Sequence, residues 1–196
     1  MHAVVMAAGE GRRLRPLTER WPKPVLPIDG VPVIAALMRE LAAAGLGPVA
    51  VVTGHLADQV EELLGDGSAF GLELRFVRQP SPDGSADAVR RAIDAGARLP
   101  AVVSGADKRY REGDLGRFAA AFASSGAQAA LAIEPDGSTA PLWGLTEAVR
   151  LTGLPGPPYE LLDAVAGLQV VELRIGKTRD LTDPLDLVRE NFPYLS

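Results

Sequence analysis

The residues best suited to chemistry lie near the start of the chain, where glycines and basic side chains follow an apolar run. Gly9 and Gly11 come directly after the run His2–Ala8, which reads as a buried strand. Glycine allows backbone amides to approach phosphate oxygens closely, and Arg13 and Lys23 can add charge-assisted hydrogen bonds to a triphosphate. The segment therefore predicts a phosphate-binding loop, with a solvated basic turn as the alternative.

The spacing of this loop excludes two common nucleotide motifs. The third glycine position of a dinucleotide fingerprint is Leu14, and a Walker A loop would need a Gly-Lys pair there. The full pattern is Ala-Gly-x-Gly-x-Arg-x-x-Pro-x-Thr, which ends at Thr18 and is followed by Pro-Lys-Pro at 22–24. It resembles the signature of the sugar-phosphate nucleotidyltransferases.

This resemblance implies a fold and a nucleotide site. The expected fold is a three-layer α/β/α, Rossmann-like arrangement with a mostly parallel sheet, the nucleotide-diphospho-sugar transferase fold. Arg13 and Lys23 are the expected catalytic residues. The residues expected to bind nucleotide phosphates are Ala7, Ala8, Gly9, Glu10 and Gly11.

A second segment, Gln-Pro-Ser-Pro-Asp-Gly at 79–84, looks especially like that of glucose-1-phosphate thymidylyltransferase. The resemblance places Gln79 and Gly84 at the nucleobase. An amide side chain offers a donor and an acceptor to a pyrimidine edge, and glycine permits close backbone approach. We therefore expect dTTP or UTP as the favoured nucleotide, although such a segment also forms a turn in any protein.

Nucleotidyl transfer also requires charge neutralisation by a divalent cation. The resemblance makes Asp107, which follows the predicted strand Ala101–Ser104, the equivalent of the family's metal-binding aspartate. Asp180 lies in a late segment that resembles the family's Asp-x-Gly-Thr-Pro motif. We expect both to bind Mg²⁺, the alternative being that Asp107 ends a strand and Asp180 is solvated in a loop. No general base is required, because an acceptor phosphate is already anionic.

The acceptor side is expected at about 135–170, where the stretch 135–158 is rich in Gly and Pro and predicts irregular structure. Trp143 and Tyr159 could form an aromatic wall, and Glu160 could bind hydroxyl groups. Core packing of the two aromatic side chains is equally compatible with the sequence. Asp183 and Asp186 are interpreted as helix-cap residues rather than ligands.

The sequence departs from the family pattern at several positions. Arg12 stands where the family usually has Thr, Ser85 where the thymidylyltransferases have Leu, and Asp87 where they have Gln. The usual Gly-Asp-Asn reads Gly-Ala-Asp at 105–107, and the acceptor-side Glu-Lys-Pro motif is missing. These departures affect the identity of the acceptor more than the reaction.

The predicted reaction is transfer of a nucleoside monophosphate from an NTP to a sugar 1-phosphate, which forms an NDP-sugar and pyrophosphate. Two alternatives stay open. One is cytidylyl, guanylyl or uridylyl transfer to another phosphorylated alcohol, such as a polyol or choline. The other is a non-catalytic nucleotide-binding regulator.

Alternating strands and helices must position these residues. The predicted strands are 2–8, 48–53, 72–77, 101–104, 127–133 and 168–175, and the predicted helices are 33–44, 57–64, 85–97, 115–124 and 184–190. Such alternation predicts a mostly parallel sheet with helices on both faces and ligands at the carboxyl ends of the strands.

Composition limits the remaining possibilities. The 196 residues fit a single domain, 1–196, and the net charge of −5 argues against a nucleic-acid partner. No apolar stretch is long enough to cross a bilayer, and no leader segment is visible, so we expect a cytoplasmic protein without a membrane partner. The chain has no cysteine and two histidines, which argues against thiolate and His-rich metal sites. The sequence leaves a homo-oligomer open.

Overall fold

The computed structural model describes residues 1–192. Its strands are β1 (His2–Ala7), β2 (Pro27–Ile28), β3 (Val31–Pro32), β4 (Val49–Thr53), β5 (Leu74–Arg78), β6 (Ala101–Gly105), β7 (Lys108–Arg109), β8 (Ala129–Ile133), β9 (Thr139–Leu145), β10 (Val170–Arg174) and β11 (Arg179–Asp180). Its α-helices are α1 (Val33–Ala43), α2 (Ala57–Leu64), α3 (Ser85–Asp94), α4 (Asp114–Ser125), α5 (Leu161–Ala164) and α6 (Pro184–Asn191).

A seven-stranded sheet forms the centre of the molecule, in the order β10-β8-β9-β6-β1-β4-β5. Every neighbouring pair is parallel except those of β9, which runs antiparallel to both β6 and β8. The carboxyl ends of the other six strands therefore lie along one edge of the sheet. In α/β proteins this edge is where ligands bind.

Helices cover both faces of this sheet. One apolar cluster contains side chains of α1, α2 and α4, such as Leu37, Leu64 and Phe118. The other contains side chains of α3 and α5, such as Val89 and Leu161. The inner strands β4 and β6 are buried along their whole length, because helices cover both of their faces, whereas the edge strands β5 and β10 carry exposed charged residues. The predicted three-layer α/β/α fold with a mostly parallel sheet is confirmed.

Strand β9 corrects the prediction of an irregular stretch at 135–158, since Thr139–Leu145 forms part of the central sheet. Two residues, Pro141 and Gly144, make this strand difficult to predict from the sequence, because both residue types are unfavourable in strands. Pro141 lies where the pairing of β9 with β8 shifts register between Leu131 and Ile133, and a bulge is where a sheet accepts proline. At Gly144, a Cβ atom would lie 2.5 Å from the ring of Phe122, so glycine is required for α4 to pack on the sheet.

Helix α6 begins as the sequence predicts. The Asp183 side chain accepts from the backbone amides of Leu185 and Asp186, and Asp186 accepts in return from the amide of Asp183. These bonds form a capping box around Pro184. Asp183 and Asp186 are therefore cap residues. Within residues 1–192, no helix has the length and apolar character required to span a membrane.

Candidate functional site

The glycine loop, the segment around Lys23 and Asp107 enclose a cavity of about 310 Å³ at the carboxyl end of β1. Its lining residues are Met6, Ala7, Gly9, Gly11, Arg12, Arg13, Leu14, Lys23, Pro24, Asp107, Leu181 and Thr182. Of the residues predicted to bind phosphates, Ala7, Gly9, Gly11, Arg13 and Lys23 are in this set. The sequence did not single out Thr182, which belongs to the same wall.

Lys23 lies at the centre of this site. It begins a short 3-10 helix, Lys23–Val25, that follows Pro22, and its side chain is buried. The Nζ atom is 2.5 Å from Asp107 Oδ2 and 2.7 Å from Asp180 Oδ1. Burial disfavours the ammonium charge, but the two carboxylates outweigh burial and raise the pKa of Lys23 above its ordinary value. Lys23 is therefore a fixed positive charge at neutral pH.

Asp107 and Asp180 are 73 positions apart in the sequence and meet at this lysine. The short antiparallel pair of β7 and β11 brings them together, with Asp180 opposite Lys108. Lys108 Nζ donates to Asp180 Oδ2 at 3.0 Å, so Asp180 lies between two ammonium groups. Lys108 is a site residue that the sequence analysis missed, and its position next to Asp107 was the available signal.

The segment that carries Asp180 is held by Glu134, which follows β8. The Glu134 carboxylate is buried, accepts from Thr178 Oγ1 at 2.5 Å and lies 2.7 Å from Lys177 Nζ. Burial opposes ionisation of Glu134, but Lys177 and Thr178 outweigh it and lower the pKa of the carboxyl. Sequence reasoning missed this residue, because no motif links Glu134 to a segment more than 40 positions away.

Asp107 and Asp180 also supply the chemistry expected for Mg²⁺. In the described part of the chain, no group of three or more His, Cys, Asp or Glu side chains could hold a metal ion. Magnesium is commonly bound by one or two carboxylates together with substrate phosphates and water. The two carboxylates therefore fit a magnesium ion that arrives with a nucleotide. In this structure both are paired with the Lys23 ammonium group instead.

The glycine loop leaves room for a ligand. A Cβ atom built on Gly9 would meet no atom within 4 Å, so packing within the protein does not explain the glycine. Glu10 is paired with Arg12 at 2.8 Å and with Arg15 at 3.4 Å. Arg13 has no ion pair among residues 1–192, so its guanidinium is available at the cavity.

Gln79 and Gly84 lie further along the same edge of the sheet, outside the lining of the cavity. Gln79 follows β5, which is two strands from β1, roughly 10 Å at the usual strand spacing. Its side chain is 5% exposed, and Nε2 donates to the Gly84 carbonyl oxygen at 3.1 Å. Gly84 has a φ of 103°, and a Cβ there would lie 2.2 Å from the carbonyl oxygen of Tyr159. Close packing against Tyr159 thus requires this glycine.

The three acceptor candidates do not line a common cavity. Trp143 is 7% exposed in β9, where it packs in the apolar core beneath α3 and α5. Glu160 Oε2 accepts from Ser85 Oγ at 2.5 Å, so its carboxylate holds the start of α3. Tyr159 lines a separate cavity of about 270 Å³ beside Asp87. This placement favours core packing for Trp143, whereas Tyr159 and Glu160 are both partly exposed and Tyr159 lines a cavity.

Known proteins share this sequence pattern and fold. The family model for nucleotidyl transferase matches residues 2–148. Mannose-1-phosphate guanylyltransferase of Mycobacterium tuberculosis is 43% identical over 83 residues, which are 42% of this chain and 23% of the relative. Glucose-1-phosphate thymidylyltransferase of Streptomyces griseus is 39% identical over 89 residues, which are 45% of this chain and 25% of the relative. The matched parts thus span about a quarter of these relatives' own lengths.

The fold is also found in a solved structure. A Bacillus anthracis protein described as a glucose-1-phosphate thymidylyltransferase superimposes with a TM-score of 0.80 at 18% identity, over 97% of this chain and 94% of that one. At this identity the likeness concerns the fold alone. The family model matches three quarters of the sequence, and its match includes the glycine loop, Lys23, Gln79 and Asp107. The chain therefore belongs to the nucleotidyl transferase family.

Proposed function

We propose that this protein transfers a nucleoside monophosphate from a nucleoside triphosphate to a sugar 1-phosphate, with release of pyrophosphate. One observation carries the proposal. Lys23, Asp107 and Asp180 converge beside a cavity that is also lined by the glycine loop and Arg13. The similarity to mannose-1-phosphate guanylyltransferase and glucose-1-phosphate thymidylyltransferase supports the choice of acceptor.

The reaction is a displacement at the α-phosphorus of the nucleotide. An oxygen of the acceptor phosphate forms the new bond to the α-phosphorus, and the bond to the bridging oxygen of the β-phosphate breaks. Pyrophosphate leaves with the electron pair of that bond, and no proton has to be removed from the anionic acceptor. Catalysis then depends on positioning and on stabilisation of negative charge.

The residues of the cavity fit these two tasks. Backbone amides near Gly9 and Gly11 bind the phosphates, and Arg13 supplies a guanidinium that has no other ion pair in the described residues. Lys23 holds a positive charge in a buried position, where its attraction to a phosphate is screened less than in water. We place Lys23 at the phosphate undergoing transfer.

We further propose that Asp107 and Asp180 hold Mg²⁺. A bound magnesium ion neutralises charge on the nucleotide phosphates. Lys23 and Lys108 orient both carboxylates before the nucleotide binds, because each aspartate is paired with at least one ammonium group.

A substrate screen tests the proposal. The full chain is incubated with magnesium, each of dTTP, UTP, CTP, GTP and ATP, and a panel of sugar 1-phosphates and other phosphorylated alcohols, and pyrophosphate is measured. Release that depends on a sugar 1-phosphate and is lost in Lys23→Ala supports it. Nucleotide binding without pyrophosphate release from any pair would indicate a regulator and overturn the proposal.

A further inference from the structure

Asp87 of α3 makes contact with the proposed base-binding residue. Its Oδ2 atom accepts from Gln79 Nε2 at 2.9 Å and from Arg91 Nε at 2.5 Å. Its Oδ1 atom accepts from Arg90 at 2.5 Å. Asp87 is 5% exposed, and the hydrogen bonds from Arg91, Gln79 and Arg90 overcome the cost of burial and lower the pKa of its carboxyl. It is therefore an ionised, fixed carboxylate.

The two partners of the Gln79 amide determine which way it faces. An ionised carboxylate can only accept hydrogen bonds, and so can the backbone carbonyl of Gly84. The NH₂ group of Gln79 must therefore point toward α3, where its two hydrogens meet Asp87 and Gly84. The amide oxygen Oε1 faces the other way, and it has no hydrogen-bond partner in the described part of the chain.

We propose that Asp87 is a positioning residue for nucleotide selection, which fixes the Gln79 amide so that Oε1 is presented to the nucleobase as an acceptor. This inference rests on the proposed function, because it needs a nucleotide at Gln79. Without Asp87 the amide can turn over, because the Gly84 carbonyl holds only one of its hydrogens.

A fixed acceptor distinguishes uracil and thymine from cytosine. Uracil and thymine carry a donor, N3–H, at the centre of the edge that pairs with other bases, whereas cytosine has an unprotonated N3 at the same point. Cytosine would therefore place its N3 acceptor against the Oε1 acceptor of Gln79, and no hydrogen bond could form between them. A mismatch of this kind leaves polar groups unpaired and reduces affinity by about tenfold or more.

Titration calorimetry with UTP and CTP as probes tests this inference, and it requires no sugar 1-phosphate. The wild-type protein should bind UTP more tightly than CTP, and Asp87→Asn should reduce this preference about tenfold, because an asparagine can accept from or donate to Gln79. The matched control is Asp94→Asn, the same change at an exposed aspartate of the same helix, which pairs with Arg90 and not with Gln79. It should retain the wild-type preference.

A double-mutant cycle separates positioning from a general structural effect. In a Gln79→Ala background, Asp87→Asn should leave the ratio of UTP to CTP affinity unchanged, because Asp87 acts through Gln79. If Asp87→Asn alone keeps the wild-type preference, the inference is wrong and the proposed function stands. If the wild-type protein binds no nucleoside triphosphate, the proposed function itself fails, and the inference with it.

A measurement on the wild-type protein covers the case in which the variant does not fold. The side-chain amide protons of Gln79 can be assigned by NMR through their loss in Gln79→Ala. Both should exchange slowly with solvent in the absence of nucleotide, because both are donated to buried acceptors. Exchange as fast as that of an exposed glutamine would show that Asp87 does not hold the amide.

Discussion

At the scale of single residues, Lys23 determines how the site is arranged, because it contacts carboxylates from two distant parts of the chain. Its basic neighbours in sequence are more exposed. Arg12 and Arg15 are paired with Glu10, and Arg20 lies on the surface. The positive charges of this segment therefore have different surroundings and should differ in importance.

We predict that Lys23→Ala reduces turnover by a hundredfold or more, a loss of about 3 kcal/mol of transition-state stabilisation. Arg13→Ala should have the next largest effect. Arg20→Ala serves as the control and should stay within about twofold of wild type, because a diffuse surface charge is screened by solvent. Steady-state pyrophosphate assays compare the three variants. Equal, modest losses in Lys23→Ala and Arg20→Ala would mean that the segment acts only as a positive field.

The two aspartates give a second prediction at this scale. Asp107→Asn and Asp180→Asn should each keep the fold and lower turnover by a hundredfold or more, because an amide is a poorer magnesium ligand than a carboxylate. Asp163→Asn, an exposed aspartate whose side chain has no partner in the described residues, is the control. Turnover is measured across a magnesium titration. An aspartate whose variant reaches wild-type turnover at the same magnesium concentration is not a ligand.

At the scale of elements, the glycine loop combines two different requirements. Gly9 has open space above it, whereas Gly11 has a φ of 61° and a Cβ there would lie 2.9 Å from Thr18 Cγ2. The first glycine leaves room for a ligand, and the second allows the loop to fold.

We therefore predict opposite outcomes for two alanine substitutions. Gly9→Ala should keep or slightly raise the melting temperature, because alanine restricts the unfolded chain, yet weaken nucleotide binding by tenfold or more. Gly11→Ala should lower the free energy of unfolding by about 1–3 kcal/mol, because of the left-handed backbone and the clash. Thermal unfolding and nucleotide titration measure the two effects. Unchanged nucleotide affinity in Gly9→Ala would show that phosphates do not approach this loop.

A second prediction for the elements concerns Glu134, which ties the end of β8 to the segment before β11. Its pKa is lowered by folding from an ordinary value of 4.5, so its stabilisation is present above that value and is lost as the pH falls through the folded-state pKa. Glu134→Gln should cost about 1–3 kcal/mol at pH 7, and the difference from wild type should shrink as the solution becomes more acidic.

Denaturant unfolding at several pH values checks this prediction. Glu112→Gln, at an exposed glutamate, should match wild type throughout. A difference between Glu134→Gln and wild type that does not change with pH would show that the charge on Glu134 does not contribute to stability.

At the scale of the whole molecule, the cavity at the glycine loop and Gln79 lie at the same edge of the sheet, two strands apart. A nucleotide can lie along this edge with its phosphates at β1 and its base at β5. We predict that dTTP or UTP is preferred over the other triphosphates. A competition assay with all five nucleotides measures the preference, and a clear preference for GTP or ATP would contradict it. The single-domain organisation over residues 1–196 likewise stays a prediction.

The sequence by itself determined the fold class and, through the glycine loop, the family. Alternating apolar strands and amphipathic helices leave a local pattern, and the glycine loop with Lys23 is a continuous motif, so both can be read from neighbouring residues. The capping box of α6 was predictable for the same reason, because its bonds join residues three positions apart.

Only the tertiary structure decided which side chains meet. Strand pairing joins Lys108 to Asp180 and thus brings two aspartates to Lys23, and packing of α3 gives Gln79 its carboxylate partner. The same applies to Trp143, which the sequence placed in an irregular stretch and β9 places in the core. These contacts link residues far apart along the chain, and their energy depends on burial and geometry that exist only once the sheet has formed.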